Sequence, residues 1–154
     1  MPAVGDEATS QLYLVSLYFA LEWPNQTFPL CHETLRATYK RRRYGRVRRR
    51  SQLHRDVSST LDRLGWMYVD SHVTAEGLLL DMARPDTKVA FEADGPSHFV
   101  RDLSSGQYVE NGATRFKSRL LRRLGWDVVT VPFFEWDRLA GASDKDAYLS
   151  ARAT

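Results

Sequence analysis

The stretch "LLLDMARPDTKVAFEADGPSHF", residues 78–99, contains two short apolar runs that are separated by a turn-forming tetrapeptide. The runs at 78–83 and 88–94 have the length of β-strands. The tetrapeptide at 84–87, Arg-Pro-Asp-Thr, favours a tight turn because proline presets the backbone and aspartate hydrogen-bonds to the turn. The stretch therefore predicts a β-hairpin, and the elements on either side follow from their own local patterns.

Two near copies of one short sequence flank the hairpin. "LDRLGWMYV" begins at residue 61 and "LRRLGWDVV" at residue 121. Each has the end of an amphipathic helix, a glycine suited to a left-handed C-cap, a tryptophan expected in the core, and a β-prone run. We expect the helices to begin near Ser51 and near Asn111 or Gly112. Their apolar stripes are Leu53, Val57, Leu61 and Leu64, and Ala113, Phe116, Leu120, Leu121 and Leu124; their C-cap glycines and tryptophans are Gly65, Trp66, Gly125 and Trp126.

The complete pattern predicts an α/β sandwich of roughly 100 residues. Further strands are expected at 66–70 and at 127–132, the latter in a central, buried position because it is apolar throughout. A short helix is expected from Glu135 to Leu139, and two more helices ahead of the sandwich. Those two helices cover 11–23 and 27–39, so the predicted domains are a helical segment at 1–50 and a folded domain at 51–150.

The positive charge is concentrated in one short arm. Residues 40–50, KRRRYGRVRRR, hold eight basic residues and no acid, whereas the rest of the chain has 14 basic and 19 acidic residues. Such a block is typical of nucleic-acid binding, since the planar fork of arginine suits phosphate. A solvated linker or a localisation signal is the alternative. The candidate RNA contacts are Arg41, Arg42, Arg43, Arg46, Arg48, Arg49 and Arg50 in the arm, and Arg115, Lys117, Arg119, Arg122 and Arg123 on the second predicted helix.

Several classes of protein are excluded by composition. The single cysteine, Cys31, rules out an internal disulfide and a cysteine-based zinc finger, and it fits a reducing compartment. No apolar run approaches about 20 residues, so no membrane partner is predicted. The first ten residues contain two acids and no base, which is unlike a secretory signal or a transit peptide.

Acidic side chains in the hairpin are the candidates for chemistry. Glu92 and Asp94 share one face of their strand, and Asp81 lies beside Glu92 if the hairpin forms. Asp56 lies on the helix that is predicted to begin near Ser51. Together these carboxylates would repel one another unless they were protonated or bridged by a cation such as Mg²⁺ or Mn²⁺. His98 is a candidate metal ligand, general acid or base, or phosphate contact. The alternative is an ordinary turn with solvent-facing acids.

These residues also carry a resemblance. "DMARPDTKVAFEADGPSHF", followed by "NGATRFKSRLLRRLGWDVVTVPFFEWDRL" and "AYL", resembles the RAP domain, an RNA-binding domain abundant in apicomplexans, over about residues 51–149. The shared features are Glu-x-Asp-Gly-Pro-x-His-Phe after the acidic strand, Asn-Gly before a helix that carries a lysine, Leu-Gly-Trp before a strand, and Glu-Trp after it. The resemblance implies organellar RNA metabolism, in a mitochondrion or alternatively a plastid. The implied partners are organellar rRNA or mRNA and a ribosomal or RNA-processing complex.

The RAP domain in turn resembles the restriction-endonuclease fold, especially its very-short-patch-repair type. That superfamily has an acid on the first helix, an Asp on a strand and (Asp/Glu)-x-Lys on the next strand. Matched by position, its acids are Asp56, Asp81 and Glu92, and Asp94 stands in the lysine position. This replacement argues against ordinary two-metal hydrolysis without excluding it, because His98 can take the proton. Lys117 is a candidate for the missing positive charge.

Two hypotheses of different classes follow. The favoured one is an RNA-binding module in which the arginines contact phosphates and Phe99, Tyr108 or Trp136 stacks on bases. The alternative is a metal-dependent endoribonuclease in which the three strand carboxylates hold Mg²⁺ or Mn²⁺ and His98 acts as acid or base. A protein-interaction role within a ribosome or processing complex is a third class. The acid at position 94 favours binding, because lysine there would favour catalysis.

Overall fold

The computed structural model describes residues 6–26, 32–43 and 50–153. They divide into two compact units: the described part of residues 1–48 together with 73–79, and that of residues 49–72 together with 80–154. Among the described helices, none combines the length and the apolar character that crossing a lipid bilayer requires.

The first unit contains two helices, α1 (Asp6–Glu22) and α2 (His32–Arg43). Tyr13 on α1 and Tyr39 on α2 are both buried, with ring centroids 4.7 Å apart. The Tyr13 hydroxyl also donates a hydrogen bond of 2.5 Å to the carbonyl of Glu76. Both helices were predicted, although α1 begins five residues earlier and α2 ends four residues later than expected.

The second unit begins with α3 (Gln52–Arg63), followed by β1 (Val69–Val73), β2 (Leu79–Arg84) and β3 (Val89–Asp94); only the end residues Val73 and Leu79 of these strands are counted with the first unit. Ser51 is the N-cap of α3, and its side chain accepts a hydrogen bond of 3.1 Å from the backbone N–H of His54. Strands β2 and β3 pair in antiparallel fashion, with Met82 opposite Phe91. The predicted helix start and the predicted hairpin are therefore confirmed.

A short 3₁₀ helix at Pro96–His98 leads into a two-stranded ribbon, β4 (Phe99–Arg101) and β5 (Tyr108–Glu110). The chain continues with α4 (Gly112–Arg123), β6 (Asp127–Pro132), α5 (Phe133–Trp136) and α6 (Ala142–Ser150). Asn111 caps α4 by accepting from the N–H of Thr114 at 2.9 Å. Gly65 and Gly125, which follow the ends of α3 and α4, have φ angles of 68° and 84°, so the predicted left-handed caps are confirmed.

The main sheet has the strand order β1-β2-β3-β6, and β6 runs parallel to β3. An α/β sandwich was predicted, and the fold class is confirmed at the level of a mixed sheet flanked by helices. The predicted central position of β6 is wrong, since β6 stands last in the strand order of the described sheet. Its apolar sequence reflects the helices α4 and α5 that pack on it, which bury a strand without a second neighbour.

The core of the second unit lies between the sheet and its helices. Leu61 on α3, Phe91 on β3, Val131 on β6 and Leu149 on α6 are all buried in one cluster. Trp66 packs against this cluster and Trp126 is buried, as predicted. The ribbon β4–β5 and helix α6 were not predicted, because strands of three residues show no periodicity and α6 has no clear apolar stripe.

Candidate functional site

Three carboxylates converge on one face of the hairpin. The register that pairs Met82 with Phe91 places Asp81 opposite Glu92 one step further along, and Asp94 follows on the same face of β3. Glu92 is 5% exposed and Asp94 2% exposed, whereas Asp81 is half-buried. The structure therefore brings together the three strand acids that the sequence singled out.

Glu92 is paired with a lysine that lies 25 residues further along the chain. The Nζ atom of Lys117 on α4 lies 2.5 Å from Oε2 of Glu92, while Oε1 is buried and has no hydrogen-bond partner. Burial raises the pKa of Glu92 to about 7; Lys117 opposes this change, and the nearby charges of Asp81 and Asp94 add to it. Lys117 thus supplies a cation beside an acid that burial would otherwise leave uncompensated.

Asp94 is paired with His98, four residues further along. The Nδ1 atom of His98 lies 2.9 Å from Oδ1 of Asp94 and 3.2 Å from the hydroxyl oxygen of Thr114 on α4. The hydrogen bond to Asp94 raises the pKa of His98, while partial burial and the charge of Lys117 oppose the increase. Because the His98 side chain is 34% exposed, it presents a group that can carry positive charge at the edge of the acidic cluster.

The other two candidate carboxylates have partners of their own. Oδ2 of Asp81 accepts a hydrogen bond of 3.0 Å from the backbone N–H of Ala93. Asp56 contacts Gln52 at 2.7 Å and Lys145 at 3.4 Å, so its side chain is engaged with α3 and α6 rather than with the strand acids. Across residues 6–26, 32–43 and 50–153, no three His, Cys, Asp or Glu side chains are arranged to hold a metal ion. The carboxylates as arranged do not fit a divalent cation.

The outer face of α4 is basic. The helix contains four arginines, one lysine and no acid, and its arginines are all exposed whereas Lys117 points to the hairpin. Spacings of four, three and one residue place the arginines within one arc of the helix. These residues, which we call the α4 arginine face, are Arg115, Arg119, Arg122 and Arg123.

Only part of the basic arm falls in the described residues. Arg41 is exposed on α2, and Arg50 is exposed but pairs with Asp70 at 2.6 Å, which in turn contacts Nε2 of His54 at 3.0 Å. Arg50 is thus held by a neighbouring acid. Outside the described residues lie Arg46, Arg48, Arg49 and the side chains of Arg42 and Arg43.

The three aromatic candidates for base stacking differ in accessibility. Trp136 is 2% exposed and lies in the core, so its predicted stacking role is wrong; its ring centroid is 5.8 Å from that of Tyr148 on α6. Phe99 is half-buried and Tyr108 is 44% exposed. They lie together with Phe133 and Phe134, which the sequence analysis did not single out because both directly follow an apolar strand and no local pattern distinguishes them from core residues.

Comparison with known proteins identifies the domain that holds this site. Residues 91–152 match the family model of the RAP domain. The chain carries a RAP domain. A protein of Oryza sativa subsp. japonica, described as a RAP domain-containing protein, chloroplastic, is 32% identical over 143 residues, which cover 91% of this chain. The chain spans 21% of the length of that rice protein.

The matched part of the RAP domain contains most of the candidate site. Glu92, Asp94, His98, Lys117 and the α4 arginine face all lie within residues 91–152. Asp56, Asp81 and the basic arm precede that range. The RAP resemblance inferred from the sequence is confirmed, whereas the restriction-endonuclease-like fold and the roles of individual residues stay predictions.

Proposed function

We propose that this chain is the RNA-binding module of an organellar protein that acts in RNA metabolism. The observation that carries the proposal is the α4 arginine face: four exposed arginines within one arc of a helix that has no acid. Arginine forks bind phosphate oxygens in bidentate fashion, and a basic stripe on one helix follows a nucleic-acid backbone. We assign residues 51–150 as the binding domain and residues 1–50 as a helical segment whose basic arm adds affinity.

The charge balance behind α4 supports this proposal. An unneutralised acidic cluster would repel RNA, but Glu92 lies against Lys117 and Asp94 against His98. Two of the three strand acids therefore have a cationic or protonatable partner within the protein. His98 extends the basic surface towards the end of β3, where it is positioned to contact a phosphate or a ribose.

The relative and the family suggest the setting. The rice protein is described as chloroplastic, which favours a plastid over a mitochondrion as the organelle. We propose organellar rRNA or mRNA as the partner, within a ribosomal or RNA-processing complex.

The α4 arginine face can be tested by removing its charges. Changing Arg115, Arg119, Arg122 and Arg123 to glutamine is expected to weaken RNA binding and to flatten its dependence on salt. Each lost phosphate contact lowers the slope of log K against log salt by roughly 0.7 on single strands, so the four together should lower it by about 3. Filter binding or fluorescence anisotropy over a series of salt concentrations measures this slope.

A matched control uses four exposed arginines elsewhere in the same unit. Arg55, Arg63 and Arg152 bond to protein groups at 2.6–2.8 Å, and Arg138 is exposed on the segment after α5. Their replacement by glutamine removes the same net charge and should change the slope little. If the control set flattens the slope as much as the α4 set, net charge rather than the α4 arginine face accounts for binding.

Endoribonuclease activity is the second candidate function. It is favoured by one observation: Lys117 Nζ on α4 lies 2.5 Å from Glu92 on β3. Helix α4 thus places a lysine beside the strand in which Asp94 occupies the lysine position of the (Asp/Glu)-x-Lys pattern. The donor set does not fit a divalent cation as arranged, which is why this function ranks second. Mg²⁺ or Mn²⁺ is nevertheless the cofactor to include in its test.

Cleavage is tested with labelled structured and single-stranded RNA, with and without Mg²⁺ or Mn²⁺. We expect a mobility shift without cleavage, and we expect Asp81→Asn with Glu92→Gln to retain most of the RNA affinity. These amides keep the shape of the carboxylates and remove their charge. Metal-dependent cleavage by the unmodified chain that is lost in this double variant and in His98→Ala would make the protein a ribonuclease.

A further inference from the structure

Four aromatic rings form a cluster where the ribbon β4–β5 meets helix α5. Phe99 and Tyr108 come from β4 and β5, and Phe133 and Phe134 from α5. Neighbouring centroids are 4.8 Å apart for Tyr108 and Phe134, 5.1 Å for Phe99 and Phe134, and 5.2 Å for Tyr108 and Phe133. We call these four residues the aromatic cluster.

Tyr108 is the most exposed member of the aromatic cluster. Its ring stacks on that of Phe134 with an angle of 13° between the planes, yet the residue is 44% exposed. The residue stays this exposed although its ring also contacts those of Phe133 and Phe99, so part of its surface is open to a ligand. An exposed aromatic ring that is held by other rings is a preformed flat surface, which loses little conformational entropy when it binds.

An arginine lies beside this surface. In the ribbon register Arg101 is directly opposite Tyr108, so the two side chains share one face, whereas Val100 and Val109 form a pair on the other. Nε of Arg101 donates a hydrogen bond of 3.2 Å to the carbonyl of Gly106, which holds the arginine at the ribbon. An aromatic ring next to an arginine is the combination with which proteins stack and neutralise single-stranded nucleic acid.

The ribbon is joined firmly to the α4 arginine face. Asn111 follows β5, caps α4, and bonds back to the 3₁₀ helix through its backbone N–H to His98 at 2.9 Å and its side chain to Ser97 at 2.8 Å. Tyr108 is three residues before this cap and Arg115 four residues after it. From the rise per residue of a strand and of a helix, the Cα atoms of Tyr108 and Arg115 are at most about 16 Å apart. An RNA strand that lies along α4 can therefore reach Tyr108.

We propose that the aromatic cluster is a stacking site for an unpaired RNA base, with Arg101 beside it for the adjoining phosphate. The preferred ligand of this RAP domain is then single-stranded RNA. Bases within an A-form duplex are stacked on one another and cannot lie on a protein ring. The inference deepens the proposed RNA-binding function and rests on it.

The test compares a single-stranded oligonucleotide with a hairpin duplex of equal length, using fluorescence anisotropy at fixed salt. Tyr108→Ala is expected to weaken binding of the single strand about tenfold. The salt slope should remain unchanged, because no phosphate contact is lost, and binding of the duplex should remain unchanged as well. Tyr108→Phe keeps the ring and should bind the single strand like the unmodified chain.

Val109→Ala is the matched control. Val109 is 42% exposed and lies on the opposite face of the same ribbon, so its truncation should leave both affinities unchanged. Circular dichroism melting curves of all three variants establish that the ribbon remains folded. An equal loss on duplex and single strand, a loss in Tyr108→Phe, or no loss in Tyr108→Ala overturns the stacking site. If the unmodified chain binds neither RNA, the proposed RNA-binding function itself fails.

Discussion

Replacing Lys117 with alanine is expected to lower the free energy of unfolding by about 3 kcal/mol at pH 8, because it removes one partner of a buried ion pair. Glu92 is 5% exposed and its Oε1 atom already has no hydrogen-bond partner. Without the Lys117 amine 2.5 Å from Oε2, the buried carboxylate must either stay ionised beside Asp81 and Asp94 or take up a proton, and both cost stability at pH 8. Urea denaturation followed by circular dichroism measures the loss.

The same variant should show a characteristic pH dependence. Burial raises the pKa of Glu92 to about 7 in the folded chain, from 4.5 for the free side chain. The pKa of this acid is higher in the folded chain than in the unfolded chain. Its contribution to stability is therefore fully present at a pH below the unfolded-state pKa and is lost as the pH rises through the folded-state pKa. Since Lys117 opposes the upward shift, its removal raises this pKa further. The loss of stability in Lys117→Ala should therefore be small at pH 5, where Glu92 is protonated, and should reach about 3 kcal/mol at pH 8.

Two controls separate this charge effect from a simple loss of side-chain volume. Arg122→Ala changes an exposed residue of the same helix and should alter stability by less than about 0.5 kcal/mol. Glu92→Gln combined with Lys117→Met removes both charges and should recover most of the stability at pH 8. A loss of the same size at pH 5 and pH 8 would contradict the assigned role of the pair.

Removal of the basic arm should have the largest effect on RNA affinity. Replacing Arg41, Arg42, Arg43, Arg48, Arg49 and Arg50 with alanine is expected to weaken binding of all RNA sequences alike, by a factor on the order of a thousand at 0.15 M salt. Arg50 already pairs with Asp70 at 2.6 Å, so five phosphate contacts are counted. At roughly 0.7 per contact, the salt slope should fall by about 3.5.

A lysine version of the same six positions is the control for the arm. It keeps the charge and should keep most of the salt slope, while the loss of bidentate geometry should reduce affinity slightly. If the alanine version binds RNA with an unchanged slope, the arm serves as a linker or a localisation signal. If the lysine version loses the slope as fully as the alanine version, counterion release does not explain its contribution.

Much of the second unit could be predicted because its signals are local. The stripes of α3 and α4, the caps at Ser51 and Asn111 and the glycines after each helix depend on residues within one or two turns. The hairpin of β2 and β3 needs only a four-residue turn, and the alternation along β3 then places Glu92 and Asp94 on one face. The burial of Trp126 follows likewise from its place between a helix stop and an apolar strand.

The errors concern residues whose surroundings are set by distant parts of the chain. Strand β6 is apolar because α4 and α5 cover it, and sequence alone cannot distinguish that from a central position. Trp136 and its near neighbours Phe133 and Phe134 belong to one four-residue helix, yet the first lies in the core and the other two border the ribbon. In so short a helix, the elements that pack around it decide which side chains face the core and which face the ribbon.

By itself, the sequence determined the helices α3 and α4, the hairpin, the clustering of its acids and the basic character of α4. Periodicity, capping and turn chemistry act over a few residues, and these features depend on nothing else. Only the tertiary structure decided that Lys117 neutralises Glu92 and that Tyr108 stacks on Phe134, since these partners are 25 and 26 residues apart. Such residues are brought together by the packing of whole helices and strands. This packing depends on the total apolar surface that folding buries, and no local pattern of the sequence reports it.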